Sequence, residues 1–394
     1  MTRPSLVLLL TLAPFSTFAQ QPGAATGPIH SPEVHPDRRV TFRLPAPKAA
    51  EVLLRGDFLK SREVLRKDEK GLWAVTVGPI EPDIYAYEFL VDGVRTVDPN
   101  NPSVKNSSLP MQTSSWLEVP GQSPMFYDTR QVPHGAMQIR WYRSKSLDSE
   151  RRLYIYTPPD YERVTARYPV LYLLHGAGGD DSVWLALGRV NMILDNLIAD
   201  HKIAPLVVVM PFGYAFSPNA PPEGLADVQQ SQRAGFERDL IGDVIPYVQA
   251  NYRVNTSRNE RGIAGLSMGG GQALTIGLHH PELFSRVAGF SAGLQQRNLK
   301  ETFQDVVANP KKVNDEFKTI WFSCGTDDRL FAVNQEFSNL LTKNGITHTF
   351  RPMTGDHTWQ VWRRSLFEVS PLLFPQTRER AALKAPDRER KTIP

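Results

Sequence analysis

Between Arg38 and about Pro120 the apolar positions fall in short alternating runs: VTFRLPA, EVLLRGDF, LWAVTVG and IYAYEFLV. In the last run Tyr85, Tyr87, Phe89 and Val91 alternate with Ala86, Glu88 and Leu90, a period of two that turns one aromatic face inward. Asp92-Gly93 follows at once, a dipeptide suited to a tight hairpin because both residues tolerate positive φ. Together these runs predict a small all-β, immunoglobulin-like sandwich over residues 38–120. Two further alternating runs, MQIRWY and RRLYIYTP, lie within residues 135–160 and predict an antiparallel hairpin.

From Tyr168 the period changes. Continuous apolar runs, PVLYLLHG, APLVVVMP, RGIAGLS, VAGFSAG, TIWFSCGT and THTFRPM, alternate with segments of helical period at 188–200, 233–251, 269–280, 331–344 and 358–370. Strand and helix in turn, with strands apolar on both faces, predict an α/β doubly wound sheet covered by helices on each side over residues 121–375.

The ends of the chain read differently. MTRPSLVLLLTLAPFSTFAQ has a basic start, a short apolar core and the small-residue pattern Thr17-Phe18-Ala19, which predicts a signal peptide over 1–19 and export to the periplasm or beyond. Its apolar core is too short for a membrane span, and no other segment approaches one. Residues 20–37, rich in Pro, Gly and Ala, read as a linker, and the charged tail 376–394 as disordered. A net charge of +4, from 45 basic and 41 acidic residues without a clustered basic face, gives no reason to expect a nucleic-acid partner. Cys324 is the single cysteine, so an intramolecular disulfide and a Cys-x-x-Cys zinc site are both excluded.

Chemistry concentrates at RGIAGLSMGGG, where Ser267 sits in a G-x-S-x-G pattern between a predicted strand and a predicted helix. Such a turn lifts a serine hydroxyl above the carboxyl edge of a sheet and points helix N–H groups at a developing oxyanion. Serine is a weak nucleophile and needs a base oriented by an acid. Asp328, in Gly325-x-x-Asp328, and His357, in THTFRPMTGDHTW, close the last two predicted strands in the order required. The backbone N–H groups of Met268 and of Ala177, in the YLLHGAGG loop, are the candidate oxyanion donors. Each feature has a plainer reading: Asp327 and Asp328 as solvated turn residues, His357 as a surface histidine. Their joint occurrence in order is what carries the assignment. His175 is read as making a structural hydrogen bond. His279-His280-Pro281-Glu282 lacks a further ligand to complete a metal site, and no cofactor is called for.

Over residues 135–374 the motifs YLLHGAGGDDSVW, AGLSMGGGQAL, CGTDDRL and GDHTWQVWRRSL resemble carbohydrate esterase family 1, particularly the feruloyl esterase domains attached to bacterial xylanases. The resemblance implies the α/β-hydrolase fold, a nucleophile at Ser267, an acid at Asp328 and a base at His357. The paired Asp327-Asp328 departs from that pattern. GLWAVTVGPIEPDIYAYEFLVDG and VDPNNP, within residues 38–105, resemble a family 48 carbohydrate-binding module, with Trp73 read as core rather than a sugar platform and the module expected to pack beside the catalytic domain. The implied activity is hydrolysis of feruloyl or acetyl esters on plant polysaccharide such as arabinoxylan. Trp184, Trp359 and Gly178 are then candidates to line the acyl site, since aromatic rings suit a hydroxycinnamoyl group, while Trp362 is read as helix packing. Three other readings stay open: a siderophore trilactone esterase, an acyltransferase of the same fold and a non-catalytic glycan-binding protein.

Overall fold

The computed structural model describes residues 29–105, 113–215 and 228–376. The predicted signal peptide, most of the tail and the Pro-rich segment 217–226 lie outside the described residues. The N-terminal part is a pair of antiparallel sheets. One orders its strands Glu33–Val34, Val40–Pro45, Leu72–Val77 and Arg66–Lys67; the other is built on Val52–Gly56, Asp83–Val91 and Ser114–Val119. Asp92 and Gly93, at φ 48° and 84°, turn Asp83–Val91 back into Val94–Thr96 as the dipeptide predicts. Tyr85, Tyr87 and Phe89 face the core with Val40, Phe42, Val52, Leu54 and Trp73. The Trp73 indole donates to the Ala46 carbonyl at 2.8 Å, which places it in the core as expected.

The linker reading of 20–37 ends too late. Glu33–Val34 pairs with Val40–Pro45, and buried Ser31 donates to Asp98 at 2.5 Å. Few apolar residues mark this stretch, so its attachment through polar bonds left no hydrophobic pattern to read.

The second part carries eight strands: β1 (Ala136–Ser144), β2 (Ser149–Thr157), β3 (Val170–Leu174), β4 (Val207–Pro211), β5 (Arg261–Leu266), β6 (Arg286–Phe290), β7 (Thr319–Gly325) and β8 (Thr349–Met353). Their spatial order is β1-β2-β4-β3-β5-β6-β7-β8, with the β1–β2 and β2–β4 pairings antiparallel and the rest parallel. The predicted hairpin is thus the edge of the large sheet. Strands β3 to β6 are buried along their whole length, which explains their unbroken apolar runs.

Helices cover both faces. On one lie α1 (Val190–Ala199) and the last helix, Trp359–Leu373; on the other lie α2 (Met268–His279), α3 (Phe331–Lys343) and a helical run from Val228 to Asn251. Trp359–Leu373 is α4. The run from Val228 starts five residues before the pattern predicts and contains a π turn at Leu240–Val244. Its polar first turns carry no apolar stripe to read. The α/β sheet with a separate β domain ahead of it is the expected fold class.

One buried ion pair ties the edge hairpin to the helical layer. Arg151 on β2 meets Asp239 at 3.0 Å with both side chains fully shielded from solvent, and it also donates to the carbonyls of Phe212 and Tyr214 at 2.6 Å each. Burial raises the Asp239 carboxyl above its ordinary range, against the pull of Arg151. Deleting one partner strands the other charge, at a typical cost of about 3–5 kcal/mol. Arg151→Ala is therefore expected to lower the unfolding free energy by that order in urea titrations followed by tryptophan emission.

Candidate active site

Ser267 follows β5 and caps α2 at φ 52° and ψ −116°, a conformation rare for any residue with a Cβ. The flanking glycines serve a different purpose from the one the motif suggests. Neither Gly265 nor Gly269 has positive φ. They are needed for close approach: a Cβ on Gly265 would overlap the Gly269 carbonyl, and one on Gly269 would overlap the His175 carbonyl and lie 2.7 Å from Leu174 Cβ. The bend is carried by Ser267 itself and fixed by three backbone bonds. Its N–H donates to Phe290 at 2.8 Å, and its carbonyl accepts from Gly293 at 2.7 Å and Gly271 at 3.0 Å.

Three strand ends then converge. His357 Nε2 lies 2.9 Å from Ser267 Oγ, and His357 Nδ1 lies 2.8 Å from Asp328 Oδ2. Asp328 is fully shielded at its side chain, while Asp327 beside it is exposed and makes no such contact with the ring. The pair of turns that carry acid and base are themselves joined: Thr326 N–H donates to Met353 at 2.8 Å and Asp327 N–H to Gly355 at 3.0 Å. A Cβ on Gly325 would overlap the Gly355 carbonyl, which accounts for glycine at the start of Gly325-x-x-Asp328.

Burial alone would raise the Asp328 carboxyl. Hydrogen bonds from His357, from the Ser291 hydroxyl and from the Leu330 N–H outweigh it and hold the group below its ordinary range. A carboxylate kept ionised in this position fixes the imidazole tautomer that leaves Nε2 free to accept the serine proton. Ser291 is a residue the sequence did not disclose. It is fully buried at φ 45°, and its hydroxyl also accepts from Trp362 Nε1 at 3.1 Å. Trp362 in turn stands edge-on to the His357 ring, centroids 5.0 Å apart. The helix-packing reading of Trp362 therefore describes only part of its surroundings.

The loop after β3 lies against Ser267, since a Cβ on Gly176 would come 3.1 Å from Ser267 Cβ. Among the described residues, the backbone N–H groups of Ala177 and Met268 carry no hydrogen bond, leaving both able to donate to an oxyanion. Gly178, at φ 75°, donates its N–H to the Tyr214 hydroxyl at 2.7 Å, so that group is engaged by the protein. His175 is 1% exposed and spans this loop and the end of β4: Nδ1 donates to the Gly176 carbonyl and Nε2 accepts from Gly213 N–H, each at 2.8 Å. Burial depresses its imidazole to about 4, which keeps it neutral with one ring nitrogen donating and the other accepting.

Two aromatic expectations are corrected. Trp184, 1% exposed, donates its indole N–H to Leu174 at 3.0 Å and offers no free face to an acyl group. Trp359, 7% exposed, packs edge-on against it with centroids 5.3 Å apart and belongs mainly to the same core. Proximity in sequence to functional loops placed both rings beside the site but not which way they face. His279 pairs with Asp305 at 3.1 Å and His280 with Glu237 and Glu282 at 2.7 and 2.8 Å. Among the described residues no group of three or more His, Cys, Asp or Glu side chains is placed to hold a metal. The Cys324 thiol, buried on β7, is pushed up to about 12 and does not compete as a nucleophile.

Residues 144–373, more than half of the chain, match the Esterase family. The chain belongs to that family. Over 350 residues the chain is 31% identical to the endo-1,4-beta-xylanase/feruloyl esterase of Xylanibacter ruminicola, an alignment covering 87% of this chain and 46% of that protein. It thus spans less than half the length of that relative. A CE1 ferulic acid esterase from Anaeromyces mucronatus, solved with ferulic acid, shares the fold at TM-score 0.54 and 22% identity, over 64% of this chain and 97% of that one. Enterochelin esterase from Shigella flexneri aligns at TM-score 0.66 and 20% identity, over 85% of this chain and 92% of that one. The carbohydrate esterase family 1 resemblance is borne out by these relatives.

Gly269→Ala is expected to lower kcat on a simple aryl ester by more than about 100-fold, because the added methyl must displace either the nucleophile turn or the strand carrying the oxyanion loop. Steady-state kinetics on the folded variant check this. His175 supplies a pH signature. Its native pKa of about 4 lies below the ordinary 6.5, so the unfolded chain binds the extra proton between those values. Stability is fully present above pH 6.5 and falls as pH drops toward 4, by on the order of 3 kcal/mol from this group. Urea unfolding of the wild type and His175→Gln across that window should show a smaller pH slope in the variant.

Proposed function

We propose that the protein is an exported serine esterase that removes feruloyl or acetyl groups from plant polysaccharide such as arabinoxylan. The observation that carries the reading is the hydrogen-bonded series Ser267 Oγ, His357 Nε2, His357 Nδ1 and Asp328 Oδ2, at 2.9 and 2.8 Å. In the proposed reaction Ser267 attacks the ester carbonyl as His357 takes its proton. Asp328 holds the imidazole and stabilises its charged form. The carbonyl oxygen, now negative, is met by the N–H groups of Met268 and Ala177. His357 returns the proton to the departing sugar hydroxyl, and water activated by the same base releases the acid from the acyl-enzyme.

Polysaccharide as substrate is supported by the Xylanibacter relative, whose similarity covers 87% of this chain and so includes the N-terminal β domain as well as the hydrolase. A ferric siderophore is anionic. Exposed Asp327 and Asp356 flank the acid and the base, with Arg329 and Arg364 close by, so the turns that carry them show no clustered basic face of the kind such a ligand would favour. The N-terminal start, read as a signal peptide, supports export.

Ser267→Ala should reduce kcat on p-nitrophenyl acetate by roughly four to six orders of magnitude with little change in melting temperature. Residual turnover near that of the wild type would remove Ser267 from the reaction. Side by side, the wild type is expected to release acid from methyl ferulate or acetylated xylan in preference to opening enterobactin. The reverse preference would replace the glycan reading with the siderophore one.

A further inference from the structure

The N-terminal β domain does more than sit beside the hydrolase. Ile84, at the start of its longest strand, is wholly buried and packs into the hydrolase core with Leu187, Trp184 and Trp362. Next to it Asp83 forms an ion pair with Arg363 of α4, whose side chain has no solvent exposure. The guanidinium also donates to the Ile84 carbonyl at 2.8 Å and to the Leu187 carbonyl at 2.6 Å, and stacks over Tyr127 at 5.1 Å. Gln360, one turn earlier, donates to the same Ile84 carbonyl at 3.0 Å.

These contacts reach both halves of the site. Arg363 lies in the second turn of α4, directly after Trp362, the ring packed against His357. Leu187 lies in the segment that leaves the oxyanion loop, between Trp184 and Arg189. That segment is gripped a second time from the β domain, where Glu118 pairs with Arg189 at 2.7 Å and Trp116 lies under its guanidinium at 5.5 Å. The helix that follows His357 and the segment that leaves the Ala177 loop thus converge on the same edge of the β domain.

We infer that the N-terminal domain is a working part of the catalytic centre, with Asp83 and Arg363 as positioning residues that hold the His357 segment and the oxyanion loop in register. The inference rests on the serine-esterase reading above. Its physical basis is that a misplacement of about 1 Å at a reacting group costs on the order of 100-fold in rate. A buried guanidinium compensated by Asp83 takes a fixed position, and losing that carboxylate frees or displaces α4 at the turn nearest the base.

The test uses the full chain and p-nitrophenyl acetate, a substrate too small to need the β domain for binding. Asp83→Ala is expected to lower kcat by about 10- to 100-fold with KM within about twofold, at a temperature where circular dichroism shows the variant folded. The rate at which a fluorophosphonate labels Ser267 should fall in the same proportion, since it reads nucleophile and oxyanion alignment together. Asp83→Asn, which keeps an acceptor for Arg363, should recover part of both rates, and it decides the matter if Asp83→Ala does not fold. A lower melting temperature with kcat and labelling rate within twofold of wild type in the folded variants would overturn the inference. A wild type inert to both the ester and the fluorophosphonate would instead overturn the esterase reading on which it rests.

Discussion

A serine held at φ 52° and ψ −116° is an uncomfortable backbone, typically costing about 1–3 kcal/mol, and the central sheet is arranged around keeping it there. Phe290, Gly293 and Gly271 fix the peptide groups on either side of Ser267. Those bonds require β6 to run beside β5 and the loop after β6 to fold back over the turn. The loop after β3 must also come close, which is possible only where Gly176, Gly265 and Gly269 remove side chains from the contact. Ser267 thus points its hydroxyl at His357 because four neighbouring segments leave it no other conformation.

The convergence of Ser267, Asp328 and His357 was legible in the sequence because each sits at a strand end, where an apolar run stops and a turn with its own chemistry begins. Position along the chain therefore reported position in space for Ser267, Asp328 and His357. The paired Asp327-Asp328 is settled by burial: one carboxylate is enclosed beside the imidazole and the other faces water. Contacts chosen by side-chain direction were not legible in the same way. Trp184 and Trp359 are near the site in sequence, yet their rings turn into the core. Arg151, Ser291 and Arg363 carry the polar framework of the interior, and none belongs to a local pattern, since their partners lie far away along the chain. The first residues of the β domain were missed for a related reason: Ser31 and His35 attach through hydrogen bonds rather than apolar burial.

The same two-part architecture accompanies different names among related proteins. Similarity to the Xylanibacter feruloyl esterase and structural likeness to the Shigella enterochelin esterase each extend over more than four-fifths of this chain. Likeness over this length therefore leaves the ester to be fixed by the site itself. What differs between such enzymes is expected in the residues around the triad, where a few charges change which acyl group is welcome.

The rings of Trp184, Trp359 and Trp362 form a continuous edge-to-face series, with centroids 5.3 and 5.2 Å apart, that ends on the imidazole of His357 at 5.0 Å. The packing that steadies the base therefore also wires it to a natural fluorophore. A shift of the His357 segment would change the surroundings of an indole, so the position of this ring is coupled to the protein's own fluorophore without a substrate or an attached label.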